Sequence, residues 1–355
     1  MAEALQGLRV LDLSESVAGQ FCARMLADYG AEVTLVEPPG GSAVRSIGPF
    51  DPDGRHDSLL FFHVNLGKRS LILDAATADG RALLLRLVGA ADVAIVGRDA
   101  DVEAMRAANA QCVICVVSPF GRDGPWRDWH GTEMIYQALS GMMNHNGVST
   151  REPLFGVGQR ASHAAGIAAY IAVLAALHAR AEVGGQVVSI DIAETASSMW
   201  YPYPLIYAYS GWLEERGERG TPVGQVQCSD GDWVCVWVRG EQWAAVGTAL
   251  GRPDLVHDPR FATGRERQKN WRAAMAIMQD IAAACTSDEF LARWQGQRLI
   301  GAKAFRPTEL LAHPHLRERG YWETVATADG ERPVLGPQFR MSETPRAMRR
   351  GAGVI

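Results

Sequence analysis

The chain has 355 residues, of which 47% are hydrophobic and 21% charged, the balance of a folded globular protein rather than of a disordered one. With 35 basic and 40 acidic side chains the formal net charge is −5, so the composition points away from nucleic acid and from a membrane as partners. The length exceeds the roughly 250–300 residues over which a single hydrophobic core usually extends, which predicts two lobes.

The first third alternates strand and helix. GLRVLDLS reads as a buried strand, AGQFCARMLADYG as a helix stopped by Gly30, and AEVTLVEPP as a second strand. RSLILD is a short strand, ATADGRALLLRLVGA a helix with Thr77 and Asp79 in its first turn, and DVAIVG and CVICVVSPFG are further strands. This alternation predicts an α/β fold, a doubly wound and mainly parallel sheet of Rossmann-like type, whose ligands sit beyond the carboxyl ends of the strands. Between the first strand and its helix, SVAGQ supplies a single glycine, Gly19, so the glycine-rich pyrophosphate cradle of a dinucleotide site is absent.

From Thr132 the pattern turns helical. TEMIYQALSGMMNHNG is one segment, residues 162–183 form a long Ala-rich helix, GGQVVSIDI is a strand, and AETASSMWYPYPLIYAYSGW reads as a helix. Gly, Pro and charge in GERGTPVGQ mark a boundary. Beyond it SDGDWVCVWVRG is turn and strand, EQWAAVGTALGRPDL a helix, and residues 265–297 two more helices. The expected division is a large nucleotide-fold domain over 1–200, a linker helix and loop over 201–225, a smaller α+β domain over 226–325, and a Pro-rich segment, 326–355, returning to the large domain.

Six cysteines are scattered through the chain, and the opening MAEALQGLRV carries neither a charged n-region nor an apolar h-region; free thiols in a cytoplasmic protein are expected. Cys112 and Cys115 form a C-x-x-C inside a buried strand, with no second Cys/His pair at metal spacing, so no metal site is assigned.

The blocks GLRVLDLSESVAGQFCARMLADYGAEVTLVEPP, NLGKRSLILD, SPFGRDGPWRDWHG, YQALSG, GRPDLVHDPRFAT, HPHLRERGYWETV and LGPQFRMSETP occur in an order that resembles the class III CoA-transferases. That family also holds formyl-CoA transferase, carnitine CoA-transferase and the 2-methylacyl-CoA racemases. The resemblance spans nearly the whole chain. It implies an interlocked dimer of ring-like subunits, coenzyme A and acyl-CoA as substrates with no tightly bound cofactor, and a CoA site that includes Ser16, Val17 and Ala18 at the head of the first helix, Arg45, Lys68, Arg69 and Gly97. Arg and Lys suit phosphate groups, although each of these cations also fits a solvated surface and the helix-head residues fit a simple cap.

Two departures from the family pattern bear on chemistry. Transferases of the family carry an Asp four residues before a glycine at the start of the long Ala-rich helix, where the carboxylate attacks the thioester; aligning on Gly166 places Ser162 there. Ser162 is therefore a serine nucleophile, a helix N-cap, or the place where a nucleophile has been lost. His163 is a poor base for it, because adjacent helical side chains diverge by about 100°. Family racemases place a His directly before an acidic residue; Thr132 and Glu133 occupy those positions, and His130 lies two residues early. After DVAIVG the family's Asn-Phe-Arg-Pro-Gly turn is replaced by GRDADVEAMRAANAQ, with Gly97, Asp99 and Ala100 where Asn, Arg and Pro are expected, which disfavours phosphate there.

Three functions stay open. The chain is the Asp-lacking subunit of a heteromeric class III CoA-transferase whose paralogous partner carries the catalytic Asp. Alternatively it is a self-sufficient acyl-CoA enzyme using His163, His130 or Glu133 as acid or base, or a non-catalytic CoA-binding homodimer. The aromatic stretch WYPYPLIYAYSGW fits either an acyl pocket or plain core.

Overall fold

The structure is a computed structural model that describes residues 3–51, 58–200, 202–213, 216, 223–327 and 330–346. The chain divides into two compact units, one made of residues 1–147, 151–213 and 318–355, the other of 148–150 and 214–317. Most of the expected boundary stretch GERGTPVGQ, residues 217–222, lies outside the described residues.

In the first unit the buried apolar runs become β1 (Arg9–Leu13), β2 (Glu32–Glu37), β3 (Arg69–Ile72), β4 (Val93–Val96), β5 (Val113–Ser118) and β6 (Val187–Asp191). They form one sheet in the order β3-β2-β1-β4-β5-β6, every pairing parallel. The expected doubly wound sheet is thus present. Its strands are bridged by α1 (Val17–Asp28), α2 (Leu59–Asn65), α3 (Ala78–Gly89), α4 (Val102–Ala108), α5 (Glu133–Leu139) and α6 (Arg160–Val183). β4 and β5 are buried throughout because helices cover both faces. The chain runs outward from β1 in one direction through β2 and β3 and in the other through β4, so the strand order switches between β1 and β4, where doubly wound folds open a crevice.

α6, 24 residues long, is the backbone of the site region. Its small residues Ala161, Ala165, Gly166 and Ala169 are buried against α1, and a Cβ on Gly166 would stand 2.7 Å from the Ala18 carbonyl oxygen. It is long and apolar enough to cross a membrane, yet this close seat against α1 accounts for its composition. Instead of one helix over 193–212, the chain forms α7 (Ile192–Met199) and α8 (Pro202–Ser210); Pro202 cannot donate to the preceding turn and begins a new helix. The predicted segment 132–147 likewise shortens to α5 and a single 3-10 turn at Met143–His145.

The second unit contains the antiparallel sheet β7 (Val223–Gln227), β8 (Trp233–Trp237) and β9 (Ile300–Lys303). α9 (Trp243–Ala249), α10 (Gly264–Lys269), α11 (Trp271–Ala282), α12 (Ser287–Gly296) and α13 (Pro307–Ala312) accompany it, with Trp243, Phe261, Met278 and Trp294 in their own core. A hairpin, β10 (Trp322–Thr327) and β11 (Gly330–Leu335), returns to the first unit. The segment after it fastens there: the Tyr29 hydroxyl donates to the Phe339 carbonyl at 2.7 Å, the two rings stack at 4.3 Å, and Arg346 reaches Asp28 at 2.9 Å and Glu323 at 3.2 Å. All six cysteines are free thiols, and all but Cys235 are buried.

Candidate active site

Ser162 does not cap α6. The helix starts at Arg160, its N-cap position is Gln159, and no side chain of that residue closes the end. Ser162 is the third helical residue, 5% exposed, and its hydroxyl donates to a Glu133 carboxylate oxygen at 2.8 Å. The cap instead comes from a neighbouring helix. Glu133, at the head of α5, accepts from the N–H groups of Ala161 at 2.7 Å and Ser162 at 3.1 Å, and from Gln137 Nε2 at 2.8 Å. Gln137 in turn accepts from the Gly156 N–H. A carboxylate at a helix N-terminus satisfies orphan donors and meets the positive end of the dipole, so Glu133 ties α5, the 156–161 turn and α6 together.

His163 turns away from Ser162, as neighbouring helical positions require. Its Nδ1 lies 2.6 Å from the Gln159 carbonyl, and its ring meets Phe21 edge-on at 4.5 Å and lies 6.0 Å from His63. His130 stands exposed on the loop before α5, outside this group. Of the acid–base candidates, only Glu133 is brought to Ser162, and both its oxygens are already occupied by donors.

The expected CoA residues sort differently from their local sequence. Ser16 caps α1 by accepting from the Gly19 N–H at 3.1 Å, with Val17 and Ala18 buried behind it. Lys68, expected as a phosphate cation, is buried: its ammonium donates to Asp12 at 2.8 Å, to the Gln20 carbonyl at 2.7 Å and to Asn65 at 2.7 Å, which uses all three N–H groups. Burial pushes its pKa down, and Asp12 opposes that shift. Arg45 forms a two-pronged pair with Glu37 at 2.7 and 2.9 Å and covers the Phe61 ring at 3.9 Å. Burial alone would raise the Glu37 carboxyl, but donors from Arg45, Ser70 and the Ser42 N–H hold it down at about 2. Arg69 begins β3 and is exposed. Gly97 follows β4 and lines a cleft of about 390 Å3 at the strand-order switch, together with Leu13, Glu15, Leu84, Val96 and Met105. Asp99 pairs with Arg98 at 3.2 Å.

The Glu133–Ser162 contact has no local sequence signal, since the residues are 29 positions apart. Among the described residues no group of three or more His, Cys, Asp or Glu side chains is arranged to hold a metal.

Residues 5–353 match the family model described as CoA-transferase family III. The chain belongs to that family. A succinyl-CoA–D-citramalate CoA-transferase from Chloroflexus aurantiacus is 32% identical over 96% of this chain and 88% of that protein. The beta subunit of a succinyl-CoA–L-malate CoA-transferase from the same organism is 27% identical, over 97% of this chain and 89% of its own length. The crystal structure of a CAIB/BAIF family protein from Brucella suis superposes with a TM-score of 0.89 at 27% identity, covering 100% of this chain and 97% of that one. The protein is therefore a CoA-transferase of family III, an enzyme class that moves CoA between an acyl-CoA thioester and a carboxylic acid.

Proposed function

We propose that this chain is the subunit of a heteromeric family III CoA-transferase that lacks a nucleophilic carboxylate of its own. The observation that carries the proposal is the neutral Ser162 hydroxyl, standing where the family places its Asp and donating at 2.8 Å to a carboxylate already engaged as a helix cap. A hydroxyl cannot form the mixed anhydride from which an enzyme thioester regenerates; a carboxylate can. In the complex, the partner's Asp carboxylate attacks the donor thioester, forming a mixed anhydride and releasing CoA thiolate. The thiolate attacks the Asp carbonyl, giving an enzyme thioester and the free donor acid. The acceptor carboxylate displaces CoA thiolate to form a second anhydride, and the thiolate takes the acceptor acyl group from it, restoring the Asp carboxylate. Two further features support a partner chain. Met134, Ile135 and Leu139 on α5, and Leu205, Tyr207 and Tyr209 on α8, are exposed apolar or aromatic side chains on the first unit. Relatives named as alpha and beta subunits of one transferase match almost the full chain. The interlocked arrangement, the cytoplasmic location suggested by six free thiols, and CoA binding by this chain belong to the same proposal.

A second possibility rests on the Ser162–Glu133 contact itself, which would make a self-sufficient enzyme with Ser162 as nucleophile. One experiment separates the two. The full chain is assayed for CoA transfer from succinyl-CoA alone and after co-expression with an Asp-bearing paralogue, with native mass measurement of the assembly. Turnover only in the mixed assembly is expected, and Ser162→Ala in this chain should leave it within a few-fold. Transfer at ordinary enzymatic rates by the single chain would overturn the proposal, and loss of that activity in Ser162→Ala would establish the alternative.

A further inference from the structure

Arg160 is out of place by its local electrostatics. It stands in the first turn of α6, where the helix dipole disfavours a cation, and no acidic residue of that turn offsets it. The side chain is exposed and has no ion-pair partner among the described residues. Its one hydrogen bond runs from Nε to the Val157 carbonyl at 3.2 Å, which leaves both terminal nitrogens over. The guanidinium lies on Gly156: a Cβ at that position would stand 2.8 Å from Nη1 and 3.0 Å from Cζ, so the missing side chain is what lets the group settle there. Nothing stands within 4 Å of where a Cβ on Gly158 would be, so the turn beneath the guanidinium has open space beside it.

This seat is fixed relative to Ser162. Glu133 and Gln137 are one turn apart on α5; the first receives the Ser162 hydroxyl, and the second exchanges two hydrogen bonds with Gly156, at 3.0 and 3.1 Å. The guanidinium on Gly156 and the hydroxyl on Glu133 are therefore separated by roughly the 5–6 Å between neighbours on one helix face. Glu133 does not serve Arg160 as a partner, because its Oε1 accepts from Ala161 and Gln137 and its Oε2 from the Ser162 N–H and hydroxyl. A carboxylate at residue 162 would itself draw the guanidinium; a neutral hydroxyl leaves it free for the carboxylate of a ligand.

We infer that this chain binds a free carboxylic acid at its own unreactive centre, the ligand's carboxylate paired with the terminal nitrogens of Arg160 beside Ser162. This rests on the proposed function, in which position 162 of this chain takes no acyl group. The planar guanidinium edge matches the two oxygens of a carboxylate, whereas a thioester carbonyl offers one uncharged oxygen. Arg160 thus selects the acid over the thioester and makes the centre a site for acid held without turnover.

The test is titration calorimetry of the full single chain with succinate, with no thioester present and at two salt concentrations. Saturable binding that weakens with salt is expected, and Arg160→Gln should weaken it roughly tenfold or more, with Arg160→Lys, which keeps the charge and loses the fork, in between. Ser162→Asp places a competing carboxylate beside the guanidinium and should weaken succinate several-fold with Arg160 intact. A purely structural arginine would lower the thermal midpoint when replaced; here the ligand-free Arg160→Gln chain should melt at or above the wild type, since a cation has left the helix start. Wild-type affinity for succinate in Arg160→Gln, or no saturable binding by the wild-type chain, would overturn the inference and leave the heteromeric transferase standing. CoA transfer by the single chain, measured separately, would remove the proposed function, and the reading of this centre as unreactive with it.

Discussion

At the scale of single residues, position 162 differs from a helix cap in the direction of its hydrogen bond. The Ser162 hydroxyl donates to Glu133 and supports nothing else, whereas Glu133 satisfies two backbone N–H groups of α6, the Ser162 hydroxyl and Gln137. The two side chains should therefore differ in what their loss costs. Ser162→Ala is expected to lower stability by about 1.5 kcal/mol, the low end for a neutral donor to a charged acceptor, since three other donors still reach that carboxylate. Glu133→Ala strands several buried donors and should cost roughly 2–4 kcal/mol. Urea unfolding of both variants measures this; equal losses would show that the carboxylate does not close the helix. Neither this contact nor the burial of Lys68 is legible locally. NLGKRS reads as an exposed basic turn because nothing in it announces that Asp12, Gln20 and Asn65 converge on the ammonium from β1, α1 and α2. A buried cation with all its donors used is a fixture of the fold, and removing its partner would leave a charge unpaired in the interior.

At the scale of elements, the strands were legible and the helix ends were not. GLRVLDLS, AEVTLVEPP, DVAIVG and CVICVVSPFG are continuous apolar runs bounded by turn residues, and each lies in the parallel sheet because helices bury both its faces. Where composition stayed apolar across a break, periodicity gave one helix for two: Trp200 and Tyr203 stack at 4.7 Å, with His145 4.2 Å from Tyr203, around the point where α7 yields to α8. Gly166 was legible only as a family landmark; the structure gives it a steric reason. A methyl group there would press on the Ala18 carbonyl at 2.7 Å and on Phe21 at 3.0 Å, the first of which is backbone and cannot swing aside. Gly166→Ala should therefore separate α6 from α1 and cost roughly 1–3 kcal/mol, although alanine is the better helix former. A thermal midpoint at or above the wild type would refute the close seat.

For the whole molecule, acid response follows from two groups of the first unit, the half-buried His63 and the buried Glu37. His63, which accepts from Arg24 at 2.9 Å, is driven down to about 3 from an ordinary 6.5, first by burial and then by the Arg24, His163 and Arg346 charges. Glu37 is held at about 2 against an ordinary 4.5. Both values are depressed in the folded state, so the unfolded chain takes up protons first as the pH falls. Their stabilisation is complete above about pH 6.5 and is lost for His63 between about 6.5 and 3, and for Glu37 between about 4.5 and 2. The urea midpoint should be flat above neutrality and decline below it, and His63→Asn should remove the part of the decline that begins near 6.5; an unchanged profile would place the titration elsewhere. The Phe339 to Arg346 stretch touches the same neighbourhood from the far end of the sequence, which has a practical corollary. Arg24, Asp28 and Arg346 are 1, 5 and 2% exposed at their side chains, so a version of the protein trimmed ahead of Phe339 would open a charged interior and bare the Tyr29 ring. Engineers who shorten or tag this enzyme should treat the stretch from Phe339 to Arg346 as the clasp of the first lobe and leave it whole.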